Sequence, residues 1–200
     1  CYNPLDHEWK VLGPVSRHRS GVGVASLNGS IYAVGGHDGV VCLNSVDRVG
    51  AYAILIFLSI PVERYNPTED KWSPCPPLRI CRENLGCATF QGKIYAVGGR
   101  DDLTELCSAE RFDPLTNEWS AVPPMKSKRS KVSLVVANGN LLAIGGYDGI
   151  VHVATVEAFD WEMNKWRRFG SMQTRHPGGG VTAIKTAPYD PDFSDSPWSR

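Results

Sequence analysis

The sequence predicts an all-β fold built as a partial β-propeller, with about three full four-stranded blades plus partial ones. Three observations carry this. A Trp that follows an acidic, Asn-bearing turn recurs at Trp72, Trp119 and Trp166, 47 residues apart each time. A Gly pair closes an apolar run at Gly35-Gly36, Gly98-Gly99 and Gly145-Gly146. Between these landmarks each unit carries several short β runs separated by turns. A period near ~50 residues with several strands per unit is the sequence mark of a propeller blade.

The unit ending at Trp119 justifies each element in turn. Leu85 to Phe90 is a short apolar strand rich in small residues, and Gln91-Gly92 is its hairpin turn. Lys93 to Gly99 is a run of β-formers closed by two glycines, followed by a polar loop over 100–106. Ser108 to Phe112 alternates as a third strand, and Asp113-Pro114 with Asn117 turns the chain. Glu118 to Ala121 is the fourth strand and carries Trp119; Pro123-Pro124 then leads into the next unit. That unit repeats the order: turn Asn138-Gly139, strand Leu141 to Gly146, loop 147–153, strand Thr155 to Phe159, then Trp166. Such sheets need neighbouring sheets to cover their faces. The Trp supplies apolar area for that packing. A strand keeps Gly where a special φ is needed or another backbone comes close, and the Gly pair is read this way.

The first unit has a fault. Its Gly pair and Trp9 each lie 63 residues before their counterparts, an excess of sixteen over the 47-residue period. The excess maps to about Asp47 to Val62, in the approach to the third strand, and is very apolar. One reading is a functional loop that plugs against lipid or a partner. The other is a retained in-frame intron or a faulty gene model, which the composition favours because an exposed apolar run of this kind invites aggregation.

The 21 basic and 21 acidic residues cancel, which argues against nucleic acid or a membrane surface as partner. The longest apolar run, Ala51 to Pro61, is shorter than the ~20 residues a spanning helix needs. No signal peptide opens the chain. Six Cys form no C-x-x-C pair and read as reduced thiols of a cytoplasmic β-protein. His7, His18, His37, His152 and His176 lie in separate loops without metal-ligand spacing. There is no Gly-rich phosphate loop and no nucleophile elbow. No metal, no cofactor and no catalytic residue is expected.

The phrases at Tyr32 to Gly39 (YAVGGHDG), Tyr95 to Asp102 (YAVGGRDD) and Leu142 to Gly149 (LAIGGYDG) resemble kelch repeats. So do the following ERYNP (Glu63 to Pro67), ERFDP (Glu110 to Pro114) and EAFDW (Glu157 to Trp161), each leading to its Trp. The chain resembles the C-terminal blades of a kelch-like adaptor with BTB, BACK and six-bladed kelch parts. That resemblance implies a substrate-recognition module of a cullin-3 E3 ubiquitin ligase. The blades capture a target protein or peptide, and cullin-3 binds only through BTB and BACK parts absent from this chain. It also implies a cytoplasmic location that extends to the nucleus. Two rivals share the repeat: a kelch actin-binding or bundling protein, and a copper-dependent oxidase like galactose oxidase. The expected organisation is the end of a truncated blade at 1–16, units at 17–76 (with the insert), 77–123 and 124–170, a closing strand within 171–185 at Gly178 to Ile184, and a disordered tail at 186–200.

In kelch folds two loop sets emerge at one end, and loops carry binding. One set follows the Gly pair and contributes His37, Arg100 and Tyr147. The other leads to the innermost strand. There a basic side chain stands ten residues beyond each Trp, at Arg19, Arg82, Arg129 and His176. Two readings of these bases stand together: a ring that grips client carboxylates, or braces that hold their own loops. The first predicts that charge reversal at Arg82 and Arg129 abolishes capture without unfolding. Asp38, Asp101 and Asp148 are read as turn formers.

Overall fold

A computed structural model describes residues 1–43, 62–175 and 179–184. Among these residues every regular element is a strand, and no helix is long and apolar enough to cross a membrane. A two-residue hairpin of β1 (Tyr2–Asn3) and β2 (Glu8–Trp9) precedes three antiparallel sheets. The first holds β3 (Gly23–Leu27), β4 (Ser30–Val34), β5 (Val62–Asn66) and β6 (Lys71–Pro74). The second holds β7 (Gly86–Phe90), β8 (Lys93–Val97), β9 (Ala109–Asp113) and β10 (Glu118–Val122). The third holds β11 (Ser133–Ala137), β12 (Asn140–Ile144), β13 (Thr155–Asp160) and β14 (Lys165–Ser171). Each sheet is ordered as its strands follow in the chain, which is the up-and-down order of a propeller blade.

The turns are dictated by local chemistry. The first hairpin of each sheet closes through Asn28-Gly29, Gln91-Gly92 or Asn138-Gly139, with φ of 50° and 76°, 49° and 68°, and 48° and 72°. Two consecutive positive φ values make a type I′ turn, whose twist matches the flanking strands and which favours Asn-Gly. Cross-strand pairs such as Val97↔Ala109, Ile144↔Val156 and Val34↔Val62 occupy equivalent places in the three sheets.

Two cores fill the spaces between sheets. Between the first and second lie Leu27, Tyr32, Leu78, Leu85, Ile94, Phe112 and Trp119. Between the second and third lie Phe90, Tyr95, Met125, Leu134, Phe159 and Trp166. One aromatic relay repeats across both. Tyr32 meets Phe112 with ring centroids 5.9 Å apart, and Phe112 meets Trp119 at 5.4 Å. Tyr95 meets Phe159 at 5.7 Å, and Phe159 meets Trp166 at 5.3 Å. All are tilted, the geometry worth about 0.5–1.5 kcal/mol per pair beyond area burial. Trp72 and Trp119 also donate Nε1–H to the carbonyls of Gly13 (2.8 Å) and Pro76 (3.0 Å), each in the segment that precedes its own blade.

The innermost strands β3, β7 and β11 lie side by side. A backbone relay joins the residues that precede them: Asn84 N–H donates to Gly21 O, and Lys131 N–H to Asn84 O, both at 2.7 Å. All three donors and acceptors sit at positive φ (60°, 54° and 51°).

Two expectations are corrected. Val62 belongs to β5, buried and paired with Val34, so it is a strand residue and not the end of the insert. The rest of the expected insert lies outside the described residues. No strand forms over 179–184; Gly179 O instead accepts from Ser133 Oγ on β11 at 2.6 Å. The segment meets the edge of β11 through this side-chain bond, and no backbone ladder forms between them. The tail at 186–200 lies outside the described residues.

The Gly pairs meet both demands inferred for them. Gly35 and Gly98 have φ of 66° and 63°, and Gly36 and Gly99 100° and 90°. A Cβ on Gly35 would stand 2.3 Å from Arg82 O, and one on Gly98 2.4 Å from Arg129 O. Gly98→Ala is therefore expected to lower stability by about 2–4 kcal/mol, from left-handed strain plus backbone overlap. Gly92→Ala, at φ 68° in open space, is expected to cost about 1 kcal/mol. Urea unfolding midpoints of the two variants separate these values.

Candidate functional site

Antiparallel order puts the second-to-third-strand loops and the blade-to-blade connections at one end of the sheets. The backbone ties the two sets together there. His37 bridges to Ser20 and Cys42, Arg100 to Glu83 and Glu105, and Tyr147 to Ser130 and His152. The predicted residues His37, Arg100 and Tyr147 thus occupy one repeated position, each pinned between both loops. His37 Nδ1 accepts from Gly39 N–H at 2.9 Å. Arg100 Nε lies 4.0 Å from Glu105 Oε1, with its side chain about half exposed. Tyr147 donates its hydroxyl to Gly149 O at 2.9 Å and packs on His152 at 5.3 Å between ring centroids.

The Asp residues after the Gly pairs form the turns expected of them. Asp38 Oδ1 accepts from Val40 and Val41 N–H at 2.9 and 3.0 Å. Asp101 Oδ1 accepts from Leu103 and Thr104 at 2.9 and 2.7 Å, and Asp148 Oδ1 from Ile150 and Val151 at 2.8 Å each. These amide bonds hold the Asp38 and Asp148 carboxyls below their ordinary value.

The repeated geometry of the bases is inward. Arg82 is fully buried: Nε and Nη2 donate to Glu110 Oε1 (3.2 and 3.1 Å), Nη1 to Gly98 O and Ser108 O (2.9 and 3.0 Å), and Nη2 also to Ser108 Oγ (2.9 Å). Arg129 repeats this with Glu157 (3.3 and 3.0 Å), Gly145 O (2.7 Å), Thr155 O (2.8 Å) and Thr155 Oγ1 (2.7 Å). All the N–H donors of both guanidinium groups are spent. Arg19 Nη1 donates to Gly35 O at 2.8 Å, and its Nη2 lies 3.4 Å from Glu63 Oε2, both side chains almost wholly buried. Burial pulls the guanidinium groups of Arg19, Arg82 and Arg129 below their ordinary value and the Glu partner opposes this; Arg stays charged throughout. Of the two readings, bracing is the one observed. The expectation that Arg82 and Arg129 form a client-gripping ring, and that their charge can be reversed without unfolding, is corrected. His176 lies outside the described residues.

The partners of these bases were missed in the sequence. Glu110 takes backbone N–H bonds from Arg79 (2.7 Å) and Ile80 (3.3 Å), and Glu157 from Lys126 (2.7 Å) and Ser127 (3.2 Å), so each carboxylate ties down the loop before its inner strand. The signal was present: Arg82–Glu110 and Arg129–Glu157 share a separation of 28 residues. Among the described residues no three of His, Cys, Asp and Glu converge as a metal site. Desolvation raises the Cys42 and Cys87 thiols, which disfavours the nucleophilic thiolate.

A family model for the kelch motif matches residues 18–49, 81–126 and 128–173, more than half the chain. The chain belongs to the kelch-repeat family. Among curated proteins, the human (Homo sapiens) Influenza virus NS1A-binding protein is 34% identical over 99 residues, 48% of this chain and 13% of that protein. Kelch-like ECH-associated protein 1B of Danio rerio is 35% identical over 108 residues, 52% of this chain and 16% of that protein. Kelch-like protein 36 of Bos taurus is 32% identical over 99 residues, 50% of this chain and 14% of that protein. The chain therefore matches only a small part of the length of these relatives.

In these kelch units, removing one partner of a buried ion pair leaves the other charge stranded. Glu110→Gln and Arg129→Met are each expected to destabilise the chain by about 3–5 kcal/mol, read by chemical denaturation. The Asp turns predict a pH effect. A depressed carboxyl stabilises the fold above its unfolded value near ~4 and loses that contribution as pH falls through its lower folded value. Protection of the Val40, Val41, Ile150 and Val151 amides, read as exchange relative to an unstructured amide at the same pH, is expected to fall in that acid window and to hold above it.

Proposed function

We propose that this chain is the substrate-recognition module of a cullin-3 E3 ubiquitin ligase adaptor, a binding unit and not an enzyme. It captures a target protein at the loop end. Cullin-3 binds through BTB and BACK parts outside this chain. The observation that carries the reading is the pinning of His37, Arg100 and Tyr147 at one repeated position, with Arg19, Arg82 and Arg129 committed to holding the loops. A surface preorganised in this way loses little entropy when it binds. The names NS1A-binding protein and ECH-associated protein are those of relatives described by what they bind. Within the family we assign the kelch-like protein 20 (diablo) type, on the Ile94 to Leu106 phrase and the terminal Gly178 to Lys185. The role implies a cytoplasmic protein, with access to the nucleus.

The test uses the complete protein that carries this chain. Cullin-3 is expected to co-precipitate with it. Alanine at His37, Arg100 and Tyr147 together is expected to lower ubiquitination of its captured targets about 10-fold or more, with cullin-3 recovery unchanged. Loss of cullin-3 association from the unaltered protein overturns the adaptor role. Co-sedimentation of the isolated chain with actin filaments favours the actin-binding reading instead.

A further inference from the structure

Two cysteines meet across the boundary between the first and second sheets. Cys42 lies in the loop after the first Gly pair and is buried, whereas Cys81 stands just before Arg82 and is partly exposed. The short segment 100–102 holds both. Cys42 N–H donates to Asp102 Oδ1 at 3.3 Å, and Asp102 N–H donates to Cys81 Sγ. The Cys42 S–H donates to Cys81 Sγ, with Arg100 O as a second acceptor 3.8 Å from its sulfur. Arg100 O also takes Glu83 N–H, two residues beyond Cys81, at 2.9 Å. The two sulfurs are thus in direct contact, on backbones that the loop bridges already fix.

The next boundary shows that the fold brings these two positions together. Register places Glu105 and Lys128 where the first boundary has Cys42 and Cys81. Arg100 bridges to Glu105 as His37 does to Cys42, and Lys128 precedes Arg129 as Cys81 precedes Arg82. There Lys128 Nζ crosses to Thr104 Oγ1, beside Glu105, at 2.7 Å. One cross-blade position therefore carries an acid and a base at the second boundary and two thiols at the first. Packing alone does not call for sulfur at both places, and two thiols in contact can be joined covalently.

We propose that Cys42 and Cys81 are an oxidation site, a thiol pair that hydrogen peroxide converts to a disulfide and so to a reversible staple between the first and second blades. Cys81, the more accessible sulfur, attacks one oxygen of the peroxide as its thiolate. The O–O bond breaks, Cys81 becomes a sulfenic acid, and the other oxygen leaves as water with the thiol proton. Cys42 sulfur then attacks Cys81 sulfur. The S–S bond forms, the S–O bond breaks, and the hydroxyl leaves as a second water with the Cys42 proton. The two thiols lose two electrons and the peroxide gains them. The sulfurs need only close from contact to the ~2.05 Å of a disulfide. Burial raises the Cys81 thiol, and donation from Cys42 S–H and Asp102 N–H opposes this. A small thiolate fraction makes the first step slow, so the bond reports sustained exposure to oxidant. The second step is fast because Cys42 is already in place.

The test treats the folded 200-residue chain with hydrogen peroxide, blocks the remaining thiols and maps linkages by mass spectrometry. Trypsin leaves each of the six cysteines on a peptide of its own, so the partner of each is read directly. The expected product joins residues 20–48 to residues 80–82 within one chain and separates with dithiothreitol. C42S is expected to leave Cys81 as a sulfenic acid that dimedone traps. C81S is expected to remove the linkage and to leave Cys42 without a dimedone adduct. The disulfide form is expected to unfold several degrees above the reduced form, a rise that C42S does not show. Thermal unfolding without peroxide establishes that each Ser variant is folded, and C42A or C81A serves where one is not. Cys81 that peroxide leaves as a thiol, or oxidises without linking it to Cys42, overturns the pair. Predominant linkage to Cys75, Cys87 or Cys107, or between chains, does the same. An equal yield of the linkage in urea overturns the fold as its cause, and a linked chain with an unchanged unfolding temperature overturns the staple.

Discussion

One residue per blade boundary holds two sheets at once. The carbonyl of Arg82 accepts from Gly36 N–H of the preceding blade at 2.8 Å, while its guanidinium grips Gly98 O, Ser108 and Glu110 of its own. Arg129 does the same between the second and third sheets, accepting from Gly99 N–H at 2.8 Å. The arrangement exists only because the Gly pair leaves room. A side chain at Gly35 or Gly98 would occupy the place of the Arg carbonyl. Buried charge is tolerable here because each guanidinium is fully hydrogen-bonded and faces a carboxylate.

From this clamp the rest of the architecture follows. It sets the distance between neighbouring sheets, and at that distance Tyr32 reaches Phe112 and Tyr95 reaches Phe159. The Trp of the later blade then completes each relay. At the other side of the clamp, Glu110 and Glu157 take loop amides and so fix the very segments that border the candidate binding end. Stability and surface presentation share the same residues. The loops are exposed, yet their backbones are bridged, capped by Asp and tied to a buried carboxylate, so their side chains are offered from a rigid base.

Much of the fold was legible in the residues. The hairpins at Gln91-Gly92 and Asn138-Gly139 were readable because few residues take two consecutive positive φ values. The Gly pairs and the Trp positions were readable because steric room and large apolar area restrict the choice of side chain. Candidate site residues divide on the same principle. The placement of His37, Arg100 and Tyr147 at the loop end was legible because they follow an unmistakable landmark. The direction of Arg82 and Arg129 was not legible. A basic residue in a loop reads the same whether it faces water or a carboxylate from a strand 28 residues on.

By itself, then, the sequence determined the repeat, the strands, their turns and the kelch pattern, because these depend on local φ preferences and on a period that repeats with little regard to context. The tertiary structure alone decided which charges are buried braces and which stand exposed at the loop end. That choice depends on what a neighbouring strand brings within about 3 Å, and no local preference encodes it.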